Sequence, residues 1–167
     1  LHFSYADVEN DMLIEQAQLT DAPQILALQK LAYLSEAEIN QDYTIPPLTQ
    51  TLGEIEREFQ TRTVLKAMID GKIIGSVRAY LQEGTCYIGR LIVHPDFQNR
   101  GIGAKLLREI EERFAQARRY ELFTGEKSER NLYFYQKWGY RIFRKEELTG
   151  KVPLVFLEKE AAPLEGH

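Results

Sequence analysis

The segment Leu91-Ile92-Val93-His94-Pro95-Asp96-Phe97-Gln98-Asn99-Arg100-Gly101-Ile102-Gly103-Ala104 constrains this 167-residue chain more than any other. An aliphatic run meets a proline, which has no amide to offer a central strand. A loop with two glycines follows and opens directly into the most regular amphipathic stretch of the sequence. Over residues 101–118 the apolar side chains Ile102, Leu106, Ile110, Phe114 and Ala117 recur every three or four positions, the period of a helix with one buried face. The first N–H groups of a helix have no acceptor within it and carry partial positive charge. Gly101 and Gly103 let a ligand approach the backbone and allow dihedrals that other residues resist. Such a turn can hold a diphosphate, and Arg100, Lys105 and Arg108 add positive charge nearby.

The plain structural reading of the same residues is a tight turn, with Gly103 kept small for helix packing. Two nucleotide-binding patterns do not fit. A Gly-x-Gly-x-x-Gly loop requires glycine where Leu106 stands, and no Gly-Lys-Ser/Thr ending is present.

The remaining elements are read from pattern. Residues 12–17 suggest a first strand. Thr20-Asp21-Ala22-Pro23 reads as a helix start, with a side-chain oxygen available to cap and proline in the first turn. Residues 35–47 break the helical pattern, and Pro46-Pro47 cannot continue a helix. A second helix is expected over 49–62 through Leu52, Ile55 and Phe59. Strands over 63–69 and 72–81 flank Asp70-Gly71, a strong hairpin signal. A third strand spans 86–93, a short one 120–124, and a helix 128–138 with Ser128 as its cap and Gly139 just past its end. Residues 140–144 and 152–158 form a last antiparallel pair. The order β-α-α-β-β-β-α-β-α-β-β is α+β, with helices packed on a mixed, mostly antiparallel central sheet.

Composition closes off other classes. The single cysteine, Cys86, excludes an internal disulfide and points to a reducing compartment, so a cytoplasmic location is expected. Uninterrupted aliphatic runs such as Leu91-Ile92-Val93 are far short of the ~20 apolar residues that span a bilayer. No basic leader precedes an apolar stretch, so neither a membrane nor a signal peptide is expected. A net charge of −4 argues against nucleic acid as partner. His2, His94 and His167 are too scattered for a metal site, and none is expected. One domain is expected over residues 12–159. The stretches 1–11 and 160–167, the first acidic and aperiodic, the second holding Pro163 and Gly166, read as poorly packed tails.

The loop Gln98-Asn99-Arg100-Gly101-Ile102-Gly103 resembles the Gln/Arg-x-x-Gly-x-Gly/Ala signature of the GNAT superfamily of N-acetyltransferases. The resemblance runs back through the Leu-Ile-Val-His-Pro strand end. It runs forward to Asn131-Leu132-Tyr133-Phe134-Tyr135-Gln136-Lys137-Trp138-Gly139-Tyr140, which looks like that family's second cofactor motif. The order of elements agrees as well, so the likeness covers about residues 12–159.

The resemblance implies acetyl-CoA as cosubstrate, an amine as acceptor and no metal. Acetyl-CoA would enter between two splayed parallel strands, 86–93 and 120–124. Its pantetheine arm would pair with backbone groups near Leu91 and Val93, as an added strand does. An N–H near Ile92 or Val93 would polarise the thioester carbonyl. The diphosphate would rest on the amides of Gln98, Asn99, Arg100, Gly101, Ile102, Gly103 and Ala104. Asn131 would bond the pantetheine arm, and Tyr135, four residues on and so on the same helix face, would point at the sulfur as the catalytic acid. Phe134 and Trp138, by contrast, read as core. Homodimers are common in the superfamily, although no feature of this sequence requires one.

The chain also departs from the family pattern. Many relatives carry a glutamate on the third sheet strand as general base, whereas Cys86-Tyr87-Ile88-Gly89-Arg90-Leu91 has no carboxylate. Glu83 reads as a surface-turn residue, His94 as a loop-shaping one and Cys86 as buried and inert. Glu36, Glu38, Asp42 and Tyr43, on the loop that usually walls the acceptor, would suit a cationic amine, but the acceptor stays open. The expected activity is acetyl transfer by direct attack of a primary amine, on a small molecule or a peptide. The missing strand carboxylate leaves a second reading, a non-catalytic acyl-CoA sensor of the same fold.

Overall fold

The computed structural model of the chain describes residues 12–162. The tail expected at 1–11 lies outside them, as do residues 163–167. Glu160 and Ala161 are not a loose tail: Glu160 is the last residue of the final strand, and the Ala161 amide donates to the Arg118 carbonyl at 3.0 Å.

Seven strands form one sheet in the order β1-β2-β3-β4-β5-β7-β6. They are β1 (Leu13–Gln16), β2 (Thr63–Ile69), β3 (Lys72–Gln82), β4 (Thr85–Val93), β5 (Arg119–Gly125), β6 (Arg141–Glu146) and β7 (Leu154–Glu160). Every neighbouring pair is antiparallel except β4 and β5, which are parallel. Parallel neighbours need a crossover, and here helix α5 (Ile102–Arg113) provides it. The Asp70-Gly71 hairpin forms as its sequence implies, with φ of 50° and 77° at the two central residues.

Side chains alternate across the sheet, and the two faces bury different helices. On β2, Leu65 belongs to the main core under α5, while Val64 belongs to a smaller cluster under α1 (Ala22–Ala32) and α4 (Leu52–Thr61). Helix α5 buries Ile102, Leu106, Leu107 and Ile110 in the main core, each worth roughly 1.5–3 kcal/mol relative to exposure. That anchoring holds the helix start rigidly at the end of β4.

The region between the first helix and β2 differs from expectation. Residues 34–47 are not irregular: Leu34–Asn40 form α2 and Pro46–Thr49 form the short α3. Pro46 and Pro47 begin a helix instead of ending one, since their missing N–H groups fall in the first turn, where no intrahelical bond is lost. α4 starts at Leu52, not Thr49, because Thr51 and Glu54 form a reciprocal capping box. The expected helix over 101–118 stops at Arg113, and Phe114 and Ala117 bury themselves from the connection to β5. α6 (Glu129–Lys137) begins after Ser128, whose hydroxyl makes no cap bond and is used elsewhere.

Candidate active site

β4 and β5 pair over three residues only, Thr85 with Arg119, Cys86 with Tyr120 and Tyr87 with Glu121. Beyond that the strands diverge, and the β5-facing backbone edge of residues 88–93 has no strand partner among the described residues. On its other side β4 carries a bulge. Ser76 pairs with Ile92 and Arg78 with Gly89, so Arg90 and Leu91 together oppose Val77. Arg90 takes φ of 50°, left-handed territory that a non-glycine residue seldom occupies. The bulge bends the strand at the point where the V opens. Leu91 and Val93 pack on the main core, and Ile92 is buried on the opposite face.

The loop after β4 is drawn tight by its own residues. His94 Nδ1 accepts from the Asp96 amide at 3.1 Å, and the Phe97 amide donates to the His94 carbonyl at 2.8 Å. This shapes the loop, as the sequence suggests. Asn99 and Gly101 have φ of 63° and 80°, and Gly101 is the N-cap of α5. The amides of residues 98–104 meet no acceptor among the described residues. Seven donors without partners thus lie at and just before the positive end of a twelve-residue helix, after the end of β4.

Gly103 lies inside the helix with ordinary dihedrals, so only Gly101 is required by conformation. A Cβ at Gly103 would stand 3.6 Å from Phe134 and 3.8 Å from Val93, ordinary contact distances. Packing therefore does not demand glycine there.

The sequence did not flag Arg130. From α6 it donates to Gln98 Oε1 at 2.6 Å and to Asn99 Oδ1 at 3.1 Å, tying the loop to the second motif. Arg100 lies over Phe97, with 5.4 Å from Cζ to the ring centre.

Asn131 Nδ2 donates to Thr124 Oγ1 on β5 at 3.2 Å and approaches Glu36 Oε1 at 3.5 Å. Tyr135 is 8% exposed, its ring against Phe134 and Tyr140. Its hydroxyl has no hydrogen-bond partner among the described residues. Only Arg78 Nη1 and Arg90 Nε are both partnerless and sealed from solvent there, so the Tyr135 hydroxyl still opens onto accessible space. Burial, reinforced by Tyr33 and Glu36, pushes this phenol well above the usual tyrosine value. Tyr133, in contrast, is fully on the outside, 71% exposed.

Glu36 is the other residue that sequence reasoning underrated. Its Oε1 accepts from Ser128 Oγ at 2.8 Å, which is where the expected cap hydroxyl of α6 is spent. Glu36 thus reaches from α2 to the start of α6, beside Asn131 and in electrostatic contact with Tyr135. The other carboxylates of this region are not part of the site. Asp42 accepts from the Thr44 amide and hydroxyl, and Glu38 is exposed. Cys86 is buried, its thiol pushed up to about 12 by burial and by Glu111, which makes it inert. Glu83 sits in the β3–β4 turn, at the opposite end of β4 from the bulge.

The sequence model of the acetyltransferase (GNAT) family matches residues 25–140. The chain belongs to that family. A curated relative, UPF0157 protein YqkA of Bacillus subtilis (strain 168), is 29% identical over 128 residues. That match covers 77% of this chain and 37% of YqkA, so the chain spans little more than a third of that relative's length. Among solved structures the chain is similar to the PaiA N-acetyltransferase of Thermoplasma acidophilum in complex with coenzyme A, at 16% identity and a TM-score of 0.72, covering 89% of this chain and 98% of that one. It is also similar to the ribosomal-protein-S18-alanine N-acetyltransferase of Escherichia coli, at 12% identity and a TM-score of 0.75, covering 93% and 98%. At such identities the likeness is one of fold, and it extends to the GNAT sheet with its single parallel pair.

Proposed function

We propose that this GNAT protein transfers an acetyl group from acetyl-CoA to a primary amine by direct attack. The observation that carries the reading is the unpaired edge of β4 over residues 88–93, running straight into seven unpartnered amides at 98–104. A pantetheine arm is a chain of amides and can pair with that edge as a strand would. Its diphosphate then falls on the amides of Gln98 through Ala104 and the start of α5. The binding of coenzyme A by the PaiA relative supports this placement.

The chemistry follows from the groups around the V. An amide near Ile92 or Val93 stabilises negative charge growing on the thioester oxygen. The amine nitrogen forms its bond to the acetyl carbon, the carbon–sulfur bond breaks, and the electron pair stays on sulfur. The surplus proton of the amine goes to Glu36 and on to solvent. A thiol has an ordinary pKa of about 8.5, whereas burial holds Tyr135 far above its usual value. Tyr135 therefore stabilises the leaving thiolate as a hydrogen-bond donor more than by giving up its proton outright. Asn131, held by Thr124, offers its amide oxygen to the pantetheine arm.

The sensor reading rests on the lack of a carboxylate on β4; the Glu36 carboxylate from α2, beside Asn131, counts against it. Tyr135→Phe is expected to lower kcat for thiol release about 10²-fold, with the calorimetric affinity for acetyl-CoA unchanged. Equal turnover in the variant would take Tyr135 out of the mechanism. Tight acetyl-CoA binding without thiol release on any amine would favour the sensor.

A further inference from the structure

The cofactor reading uses only one face of the sheet. On β5, Leu122 lies in the main core and Thr124 accepts from Asn131 of α6, so both point to the face that carries α5 and α6. Phe123 and Gly125 alternate with them and point to the other face. A Cβ placed on Gly125 would stand 3.7 Å from each of Glu36 Oε2, Asn40 Nδ2 and Val152 Cγ1, ordinary contact distances, and no positive φ requires glycine there. A glycine inside a strand often marks a place where a ligand comes close to the backbone. Glu36 therefore has one carboxylate oxygen held by Ser128 and the other beside the bare end of β5.

Two residues back along the strand, about 7 Å at its usual rise, Phe123 is 49% exposed. It lies beside its cross-strand partner Phe156 on β7, with 5.4 Å between ring centres. Phe156 is buried, and Arg144, its partner on β6, covers it with Cζ 3.8 Å from the ring centre. This row of guanidinium, ring and ring is closed at Arg144 and open at Phe123. The charged groups along the same face are paired with one another. Arg144 meets Glu146 at 3.2 Å, Arg119 meets Glu121 at 3.0 Å, and Glu158 is shared by Arg119 at 3.6 Å and Arg141 at 3.5 Å. What this surface presents beside Glu36 is thus an aromatic face without a charge in search of a partner.

An acceptor whose amine meets Glu36 must keep the rest of its structure off the face that the cofactor takes, and β5 leads it from Gly125 to Phe123. Aromatic rings gain more from one another, in offset or tilted geometry, than the area they bury accounts for. We infer that the acceptor is a primary amine carrying a neutral aromatic ring on a spacer of about three carbons, with the amine at Glu36 Oε2 and the ring against Phe123. This rests on the acetyl-transfer reading above and adds the class of acceptor to it. Phe123 is the specificity residue, and it belongs neither to the β4 edge nor to the 98–104 loop.

The test compares 3-phenylpropylamine with propylamine, 3-cyclohexylpropylamine and 1,5-diaminopentane in thiol-release assays with acetyl-CoA and the full chain. The phenyl compound is expected to exceed propylamine in kcat/KM by about 10- to 100-fold, the worth of burying one ring. Phe123→Ala should raise KM for 3-phenylpropylamine about tenfold while leaving kcat and the values for propylamine within about twofold, and Phe123→Tyr should keep the wild-type preference. Propylamine, the cyclohexyl compound or the diamine used as well as the phenyl one would overturn the inference, as would equal losses for phenyl and propyl amines in Phe123→Ala. A Phe123→Ala variant with unchanged KM that sediments as a smaller species than wild type would give this face to a second copy of the chain, which also overturns it. If no amine releases thiol, acetyl transfer itself is contradicted, and binding then decides the subsite. N-(3-phenylpropyl)acetamide should bind the CoA-saturated wild type and bind about tenfold more weakly to Phe123→Ala. No binding to wild type, or equal binding to both, would remove the subsite.

Discussion

Gly101 and Gly103 look equivalent in the sequence, yet they do different things. Gly101 holds φ of 80° with open space around it, so its role is conformational. Gly103 is an ordinary helical residue whose Cβ would make ordinary contacts. Gly103→Ala should therefore stabilise the ligand-free protein by about 0.4–1 kcal/mol, since it narrows the unfolded ensemble without native strain. The same methyl stands where a ligand would approach the backbone, so acetyl-CoA affinity should fall about tenfold, a loss of about 1.4 kcal/mol. Thermal unfolding and calorimetry on one variant give both signs. A variant that is less stable and binds normally would make Gly103 a packing residue after all. Four-residue spacing places Tyr135 and Asn131 on one helix face, while the roles proposed for them come from the family resemblance. Glu36 was not legible, since its partners Ser128 and Asn131 lie 92 and 95 positions away and no local pattern joins them.

At the scale of elements, the strand–loop–helix unit from β4 to α5 was the most readable part of the chain, because period, proline and glycine all agree there. The stretch from 34 to 51 was the least readable. Its helices are short, their apolar residues do not repeat, and Pro46-Pro47 marks a start as readily as a stop. The β4 bulge left no trace in composition, since an arginine at positive φ is imposed by pairing with β3 and not by local preference. Loop and second motif are also joined through Arg130, whose side chain is exposed. Exposed contacts of this kind contribute little, about 0.2–1 kcal/mol. Arg130→Ala should raise the Kd for acetyl-CoA by about two- to fivefold with kcat preserved. A loss as large as that expected for Gly103→Ala would mean that Arg130 touches the ligand itself.

Over the whole molecule, one sheet separates two apolar layers, and the larger layer traps groups that must stay uncharged. Cys86 and Tyr120 are each pushed up to about 12 by burial, with Glu111 adding to both. Tyr135 and Tyr140 are raised further in the same direction. In the unfolded chain these groups release protons at their ordinary values, near 8.5 for the thiol and 10 for the phenols. Above those values the unfolded state binds fewer protons than the folded one, so stability falls as pH rises. Unfolding midpoints should be insensitive to these groups up to about pH 8 and drop steeply from there to pH 12. A flat profile through pH 12 would show that the core admits the charged forms. The described residues include no helix long and apolar enough to cross a membrane.

The central claim is that the backbone between Gln98 and Ala104 grips a diphosphate while β4 pairs with the arm attached to it. Amide chemical shifts of the full chain, followed during titration with coenzyme A and separately with pantetheine, test it directly. Coenzyme A should move the amides of 98–104 together with those of 88–93, and pantetheine, which has no diphosphate, only the latter. Amides of 98–104 that stay in place at saturating coenzyme A would contradict the account.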